Sequence, residues 1–468
     1  MNNEADVIVV GGGPGGMAAA LEAANNGSSV ILIEADTQIG GNAARSTGYL
    51  AFQNFDMQAK EGIDDSADVF VEDMIAEISR QSEKYGITFD EELAWLFSEE
   101  SSTTYSWLCG LGFEFNRFLP RPKQHSVNRM VDVKDTTMFT YLFEEALSAA
   151  GVEVITETRV RRLITVNNYV AGVETETETY MANRGVLLAT GGYQANPQIR
   201  IKYQPEVMAS TPYLGTEHDV GDGHIMGQAV GGDLINMTMI PPLIMVGSAL
   251  VEESVAVNLE GERFHDEAGP YDYRVGQLAK QTDRLAWYIF DDRAFRSKKQ
   301  LIDEMPEEPI SDLTLEGLAN KLGCNGDALN HCVGEWNSLV ASAEPKDPKF
   351  GRVIFPDPRI GIVEPPFHAS RMIVGINFPA GGFRVSADMQ VLNVYGEPIP
   401  NLFAVGDCTG GLGPVIGMGG MRITPALTLG RVAGRKIATG TNFKEARKGG
   451  QSKLPENQMR IPVVDETN

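Results

Sequence analysis

The sequence predicts an α/β protein in which one Rossmann-like domain is built from both ends of the chain and an α+β cap domain is inserted between them. Three observations predict it. Near the start, the apolar run at residues 7–10 leads directly into Gly11-Gly-Gly-Pro-Gly-Gly16. Near the end, Asn401-Leu-Phe-Ala-Val-Gly-Asp407 repeats the pattern of an apolar strand ending in glycine. Between them, from about Met237 to Gly351, helical patterns dominate, with Pro- and acid-rich joints such as Asp303-Glu-Met-Pro-Glu-Glu-Pro309. The expected limits are 1–236 and 352–468 for the two parts of one domain, and 237–351 for the cap.

The elements follow in order. Residues 14–26 read as a helix: Pro14 suits a first turn, alanines give a thin packing face, and Gly27 suits the C-terminal cap. Residues 30–34 read as a second strand, completing a strand–turn–helix–strand unit with parallel strands. Residues 66–110 and 135–150 read as helices, joined by an irregular stretch at 113–129. Residues 152–166 and 169–178 read as strands, and 185–192 as a buried strand ending in glycines. Strands return near Met372. Residues 423–434 read as a helix with Pro425 in its first turn, and the tail after Lys444 is polar and loose.

Composition narrows the function. The chain has 468 residues, enough for two domains. With 39 Lys plus Arg against 63 Asp plus Glu, the net charge is −24, which disfavours nucleic acid and anionic membranes as partners. No apolar run approaches the ~20 residues of a membrane span. The N-terminus lacks the basic region of a secretory signal, so cytoplasmic residence is expected. Cys109, Cys324, Cys332 and Cys408 form no haem, cluster or metal-ligand spacing and read as reduced thiols. Electrons must then come from an external donor, and no second nucleotide-binding unit is present to hold a nicotinamide.

The chemistry sits in the glycines. In Gly11-x-Gly13-x-x-Gly16, with Pro14 and Gly15 opening the helix, backbone N–H groups can approach a pyrophosphate at the helix N-terminus. Glu34, followed by Ala35, stands where a carboxylate can bind ribose hydroxyls. The remaining turns decide for FAD. Gly41, Asn42, Ser46, Thr47 and Gly48 form a loop able to line a flavin. Val160 offers backbone to an adenine. Ala189, Thr190, Gly191 and Asp222 are further tight backbone sites, and Gly406 with Asp407 can meet the ribityl chain. Arg422, Ile423 and Thr424 open a helix whose N-terminus can stabilise anionic reduced flavin.

On these motifs the chain resembles, over essentially its full length, the succinate dehydrogenase/fumarate reductase flavoprotein superfamily. Within it, the resemblance is nearest to the 3-ketosteroid dehydrogenase-like branch of soluble FAD-dependent enone reductases. The resemblance implies a cap domain closing over the flavin and hydrogen transfer across a carbon–carbon bond, with hydride at flavin N5 and a proton through a side chain. Some members attach FAD to a histidine in the loop matching 42–48. No His is present there, so noncovalent FAD is expected.

The substrate residues separate the branches. Fumarate reductases clamp two carboxylates with two histidines and two arginines. Matched segment by segment, this chain has Ile240-Pro-Pro242, Phe378, Tyr271 and Gly417 or Met418 in their places. Arg263-Phe-His-Asp-Glu-Ala-Gly-Pro-Tyr271 instead resembles the ketosteroid dehydrogenase pattern whose tyrosine carries the proton. A phenol with a pKa near ~10 is protonated at neutral pH and can donate to a carbanion. Tyr271 is the expected catalytic residue, with packing beneath the cap as the alternative and His265 or Tyr273 as substitutes if the match slips. Arg422 reads either as a catalytic partner for a carbonyl or phenolate, or as a structural helix-start arginine. Phe118, His125, Phe378, Met418 and Gly419 are the candidate substrate contacts. The second tyrosine of ketosteroid dehydrogenases, in the C-terminal glycine loop, is absent.

The expected function is addition or removal of hydrogen across a carbon–carbon bond of a cyclic, largely apolar small molecule, ketosteroid- or isoflavonoid-like. The alternatives are a reductase of a small unsaturated acid, with Arg422 or Arg45 as clamp, and a noncatalytic flavin electron carrier.

Overall fold

The computed structural model describes residues 3–82, 86–204, 211–239, 242–245, 250–413, 415 and 417–440. Ile240, Pro241 and the tail after Lys444 therefore lie outside the described residues. The main sheet joins both ends of the chain. Its parallel strands run in the order Pro398–Ala404, Thr179–Leu188, Glu4–Val10, Val30–Ile33, Glu153–Ile155. Gln390–Leu392 extends it antiparallel at one edge, and the hairpin of Arg162–Val166 and Tyr169–Glu174 joins Thr179–Leu188. The central strands are apolar and buried without alternation, because helices cover both faces. The register sets Val10 opposite Ile33 and Leu188, and Leu188 opposite Ala404. The glycine turns that follow these strands therefore open on one edge of the sheet, where open α/β sheets bind ligands.

Two helices lock the ends together. Pro14–Asn25 packs along Ile423–Thr439 with backbones nearly touching. A Cβ at Gly430 would lie 2.4 Å from the Gly15 carbonyl oxygen, and one at Gly434 would lie 2.3 Å from that of Ala19. Between the same helices Arg431 Nε donates to Glu22 at 2.8 Å.

Some elements differ from expectation. The helix read at 66–110 is two, Ala67–Ser82 and Glu91–Gly110, the second capped by Asp90, whose Oδ1 accepts from Leu93 N at 3.0 Å. The strand read at 152–166 breaks in two, because Glu157 turns the chain at φ +52. The stretch read as irregular contains Phe115–Phe118, which joins Tyr49–Ala51 and Met130–Val133 in a small antiparallel sheet.

The inserted region is built on a sheet rather than on helices alone. Val255–Asn258, Ala286–Asp291, Phe367–Arg371 and Ile310–Asp312 pair antiparallel in that order. Val257 and Ile289 face a core with Trp336 and Leu329, while Ala256 and Tyr288 face one with Leu278 and Met372. Both faces are covered, so the strands lack the polar alternation that marks a strand in sequence. A limit at 351 would sever Phe367–Arg371 from this sheet, so strand pairing carries the unit past Arg371. Ion pairs tie it to the FAD-side segments: Arg80–Asp272 at 2.5 Å, Lys123–Asp266 at 3.0 Å and Arg117–Glu252 at 2.7 Å. Among the described residues, no helix is long and apolar enough to cross a membrane.

Candidate active site: a cleft between the glycine turns and the inserted unit

One cleft runs from the first glycine turn to the inserted unit. Its walls include Gly11, Gly13, Pro14, Gly15, Glu34, Ala35, Gly41, Asn42, Ser46, Thr47, Val160, Ala189, Thr190, Gly191, Asp222, Gly406, Asp407, Arg422 and Ile423, all expected from sequence. Three expected residues stand behind the wall instead. Gly16 abuts the Gly11 carbonyl, where a Cβ would come within 2.0 Å. Gly48 turns against Val133 at φ +70, and Thr424 Oγ1 accepts from Ala51 N at 2.9 Å. They shape the turns rather than face a ligand.

The cradle fits a dinucleotide. A Cβ on Gly13 would meet no atom within 4 Å, so its missing side chain leaves open space in the cleft. Gly13 and Arg422 begin the helices Pro14–Asn25 and Ile423–Thr439, and neither supplies a side-chain cap. Their first-turn N–H groups and dipoles suit the anionic parts of a cofactor. Glu34 is fixed by Gly12 N at 2.6 Å and Asp36 N at 2.7 Å, leaving lone pairs for ribose hydroxyls. Asp222 is ion-paired with Arg159, which also lines the cleft. Burial pushes the Asp407 carboxyl up, with Arg422 partly offsetting.

Asp219 is a cleft residue that sequence reasoning missed. Its carboxylate accepts from Asn42 Nδ2 and the Tyr213 hydroxyl, both at 2.7 Å, and from Gly192 N at 3.3 Å. Burial pushes its pKa up to about 6. Of its partners only Tyr213 is close in sequence, and Asn42 comes from 177 positions away, so no motif marks it.

At the other end the wall is mostly apolar, with Glu304 and Asn377 as its polar members. Met245, Leu301, Met305, Phe378, Met418 and Met421 line it with Tyr49 and Tyr271. Tyr271 opens the helix Tyr271–Leu278 after Pro270. Its ring lies 6.0 Å from that of Phe378, and the Arg274 guanidinium sits 5.0 Å from its centroid. No described residue hydrogen-bonds the Tyr271 hydroxyl. The substitutes do not reach the cleft: His265 is fully buried with Nδ1 3.0 Å from the Asp266 carbonyl, and Tyr273 lies under Lys123.

Several expected substrate contacts have structural tasks. Arg422 donates to the Pro379 carbonyl at 3.1 Å and the Gly413 carbonyl at 2.6 Å, and stacks on Phe378 at 4.2 Å. Arg45 lines the cleft but pairs with Asp36 at 3.5 Å. Phe118 packs on Phe55, with centroids 5.7 Å apart, away from the cleft. His125 Nε2 lies 2.9 Å from the Gly419 carbonyl, and burial pushes its pKa down to about 4. The ring is thus neutral with the proton on Nε2. Gly419 N donates to Gln124 at 2.9 Å, so Gly419 faces the loop and not the cleft.

The sequence matches the family model described as "FAD binding domain" over residues 6–423. The chain belongs to that family. It is similar to the probable fumarate reductase Ifc3 of Shewanella frigidimarina, 28% identical over 461 residues that cover 92% of this chain and 74% of the relative. Among solved structures, the open conformation of a flavocytochrome c3 fumarate reductase superposes with TM-score 0.71 at 26% identity, covering 93% of this chain and 78% of that one. The 3-ketosteroid-delta4-(5alpha)-dehydrogenase of Rhodococcus jostii RHA1, bound to 4-androstene-3,17-dione, superposes with TM-score 0.66 at 26% identity, covering 93% and 97%. This FAD-binding domain protein is an FAD-dependent oxidoreductase, and its α/β fold is the one those flavoproteins share.

Proposed function

We propose that this flavoprotein adds or removes hydrogen across a carbon–carbon bond of a cyclic, largely apolar substrate, ketosteroid- or isoflavonoid-like in shape. The observation that carries this reading is the unpartnered Tyr271 hydroxyl on a wall of methionine, leucine and phenylalanine. A dicarboxylate brought to that wall would need cations, since an unpaired buried charge is heavily penalised. Arg422 is already bound to two backbone carbonyls, and the charge of Arg45 is offset by Asp36 beside it.

Bound FAD, held without a covalent link, supplies hydride exchange at N5. The chain does the rest. The methionine-rich wall adapts to a flat ring and displaces water from it. Tyr271 gives its phenolic proton to the carbon next to the one that takes hydride, and accepts it in the reverse direction. Arg422 fixes Phe378 and the start of the last helix. Electrons reach the flavin from an external donor. Cytoplasmic residence is part of the same reading, supported by four free cysteines.

The test is anaerobic. The flavin is photoreduced, then mixed with 4-androstene-3,17-dione, other cyclic enones, an isoflavone and fumarate. Reoxidation by at least one cyclic compound, with fumarate negligible, is expected. Efficient reoxidation by fumarate alone overturns the reading.

A further inference from the structure

Arg121 is an arginine with almost no bonds. It is 7% exposed, and among the described residues its side chain's only hydrogen bond runs from Nη1 to the carbonyl of its own neighbour, Pro120, at 3.3 Å. It forms no ion pair with a described carboxylate. Glu252, the acid that acts on it electrostatically, is held by Arg117 at 2.7 Å. A buried guanidinium stays charged and carries five donors, so leaving it unmatched is costly unless a ligand completes it.

The fold brings this group behind Tyr49, which lines the substrate end of the cleft. Tyr49–Ala51, Phe115–Phe118 and Met130–Val133 form one small sheet, and Arg121 lies in the loop between the last two strands. Its guanidinium sits 5.7 Å from the centroid of Tyr49, whose side chain lines the cleft. Tyr271, on the inserted unit, is close enough to act on the same guanidinium. Burial holds the Tyr49 phenol well above its ordinary range, so Tyr49 is a donor at neutral pH. No described residue hydrogen-bonds its hydroxyl.

We propose that Tyr49, with the Arg121 guanidinium positioned behind its ring, holds a ring oxygen of the substrate, phenolic or enolic, conjugated to the carbon–carbon bond that Tyr271 serves. This rests on the proposed function and names its polar handle. Electron density that moves onto the oxygen as the conjugated bond takes up hydride meets the Tyr49 hydroxyl and the field of the guanidinium behind it. Arg422, bound to two carbonyls, is not needed for this task.

The experiment needs no turnover. The oxidised FAD-loaded enzyme is titrated at pH 8 with 4-nitrophenolate and with 4-nitroanisole, a neutral analogue of the same shape, following the flavin and nitrophenolate spectra. The wild type is expected to bind the phenolate at least ~10-fold more tightly, the scale of one hydrogen bond to a charged group. Tyr49→Phe should abolish that preference, Arg121→Met should reduce it, and Arg121→Lys should restore part of it. If Arg121→Met does not fold, Arg121→Lys and Tyr49→Phe decide. Equal binding of the two probes by the wild type, or a preference intact in every folded variant, overturns the proposal. Because no hydride moves, this failure is distinct from a failure of reoxidation.

Discussion

Gly11 and Gly13 lack side chains for different reasons. At Gly11 the backbone is left-handed, φ +106, and a Cβ would lie 2.2 Å from the Ala189 carbonyl oxygen. At Gly13 there is no clash at all, only open cleft. Gly13→Val should therefore fold with a melting temperature near that of FAD-free wild type yet lose bound FAD through gel filtration, because its side chain takes the pyrophosphate's space. Gly11→Val should lose stability as well, since the left-handed conformation alone costs a side chain roughly 1–2 kcal/mol. Normal FAD content in Gly13→Val would contradict the cradle assignment. Such glycines were legible because a turn and a close approach leave a local spacing in the sequence. His125, Phe118 and Arg121 were not: whether a side chain in that loop faces the cleft or the core is set by the strands around it.

The segment 417–421, part of the cleft wall, is held by side chains from two other elements. Gly417 N donates to Glu77 at 2.9 Å, Gly419 N to Gln124 at 2.9 Å, and His125 Nε2 bonds the Gly419 carbonyl. The histidine makes this anchor pH-sensitive. Its folded-state pKa, about 4, is below the ordinary 6.5, so its contribution is complete above pH 6.5 and is lost as pH falls towards 4. By pH 5 that loss is about 2 kcal/mol. His125→Gln keeps an N–H donor for Gly419 and cannot titrate. Its melting temperature should fall less between pH 7 and pH 5 than that of the wild type, and an equal fall would show that His125 does not titrate in the unfolding transition. At this scale the sequence was readable where a proline opens the helix, as Pro14 does at 14–25 and Pro425 at 423–439. The inserted sheet was not readable, because strands buried on both faces carry no alternation.

The whole molecule is one FAD domain sewn from two chain ends, with the inserted unit held over its cleft. That plan was visible because both ends must supply glycine turns to one cofactor. The rim contacts were not, since they join residues 135 to 192 positions apart. Their cations are partly exposed, 41% at Arg80 and 48% at Lys123, while their carboxylates are more buried, 21% at Asp272 and 6% at Asp266. Each adds at most about 1 kcal/mol and is screened by salt. Asp272 adjoins Tyr271, so Arg80→Ala should scarcely change the melting temperature but should slow reoxidation by a cyclic enone several-fold, and 0.5 M salt should reduce the difference from wild type. A difference insensitive to salt would mean that Arg80 acts other than through this pair. The central claim is that Tyr271 carries the proton at a flavin poised over an apolar ring. The most direct measurement is rapid mixing of photoreduced wild type and Tyr271→Phe with a cyclic enone that reoxidises the wild type. Phenylalanine keeps the ring against Phe378 and Arg274 and removes only the hydroxyl. FAD content and melting temperature should hold, and reoxidation should slow by about 10²–10⁴-fold, with substrate affinity much less affected. Reoxidation of Tyr271→Phe at the wild-type rate would contradict the account.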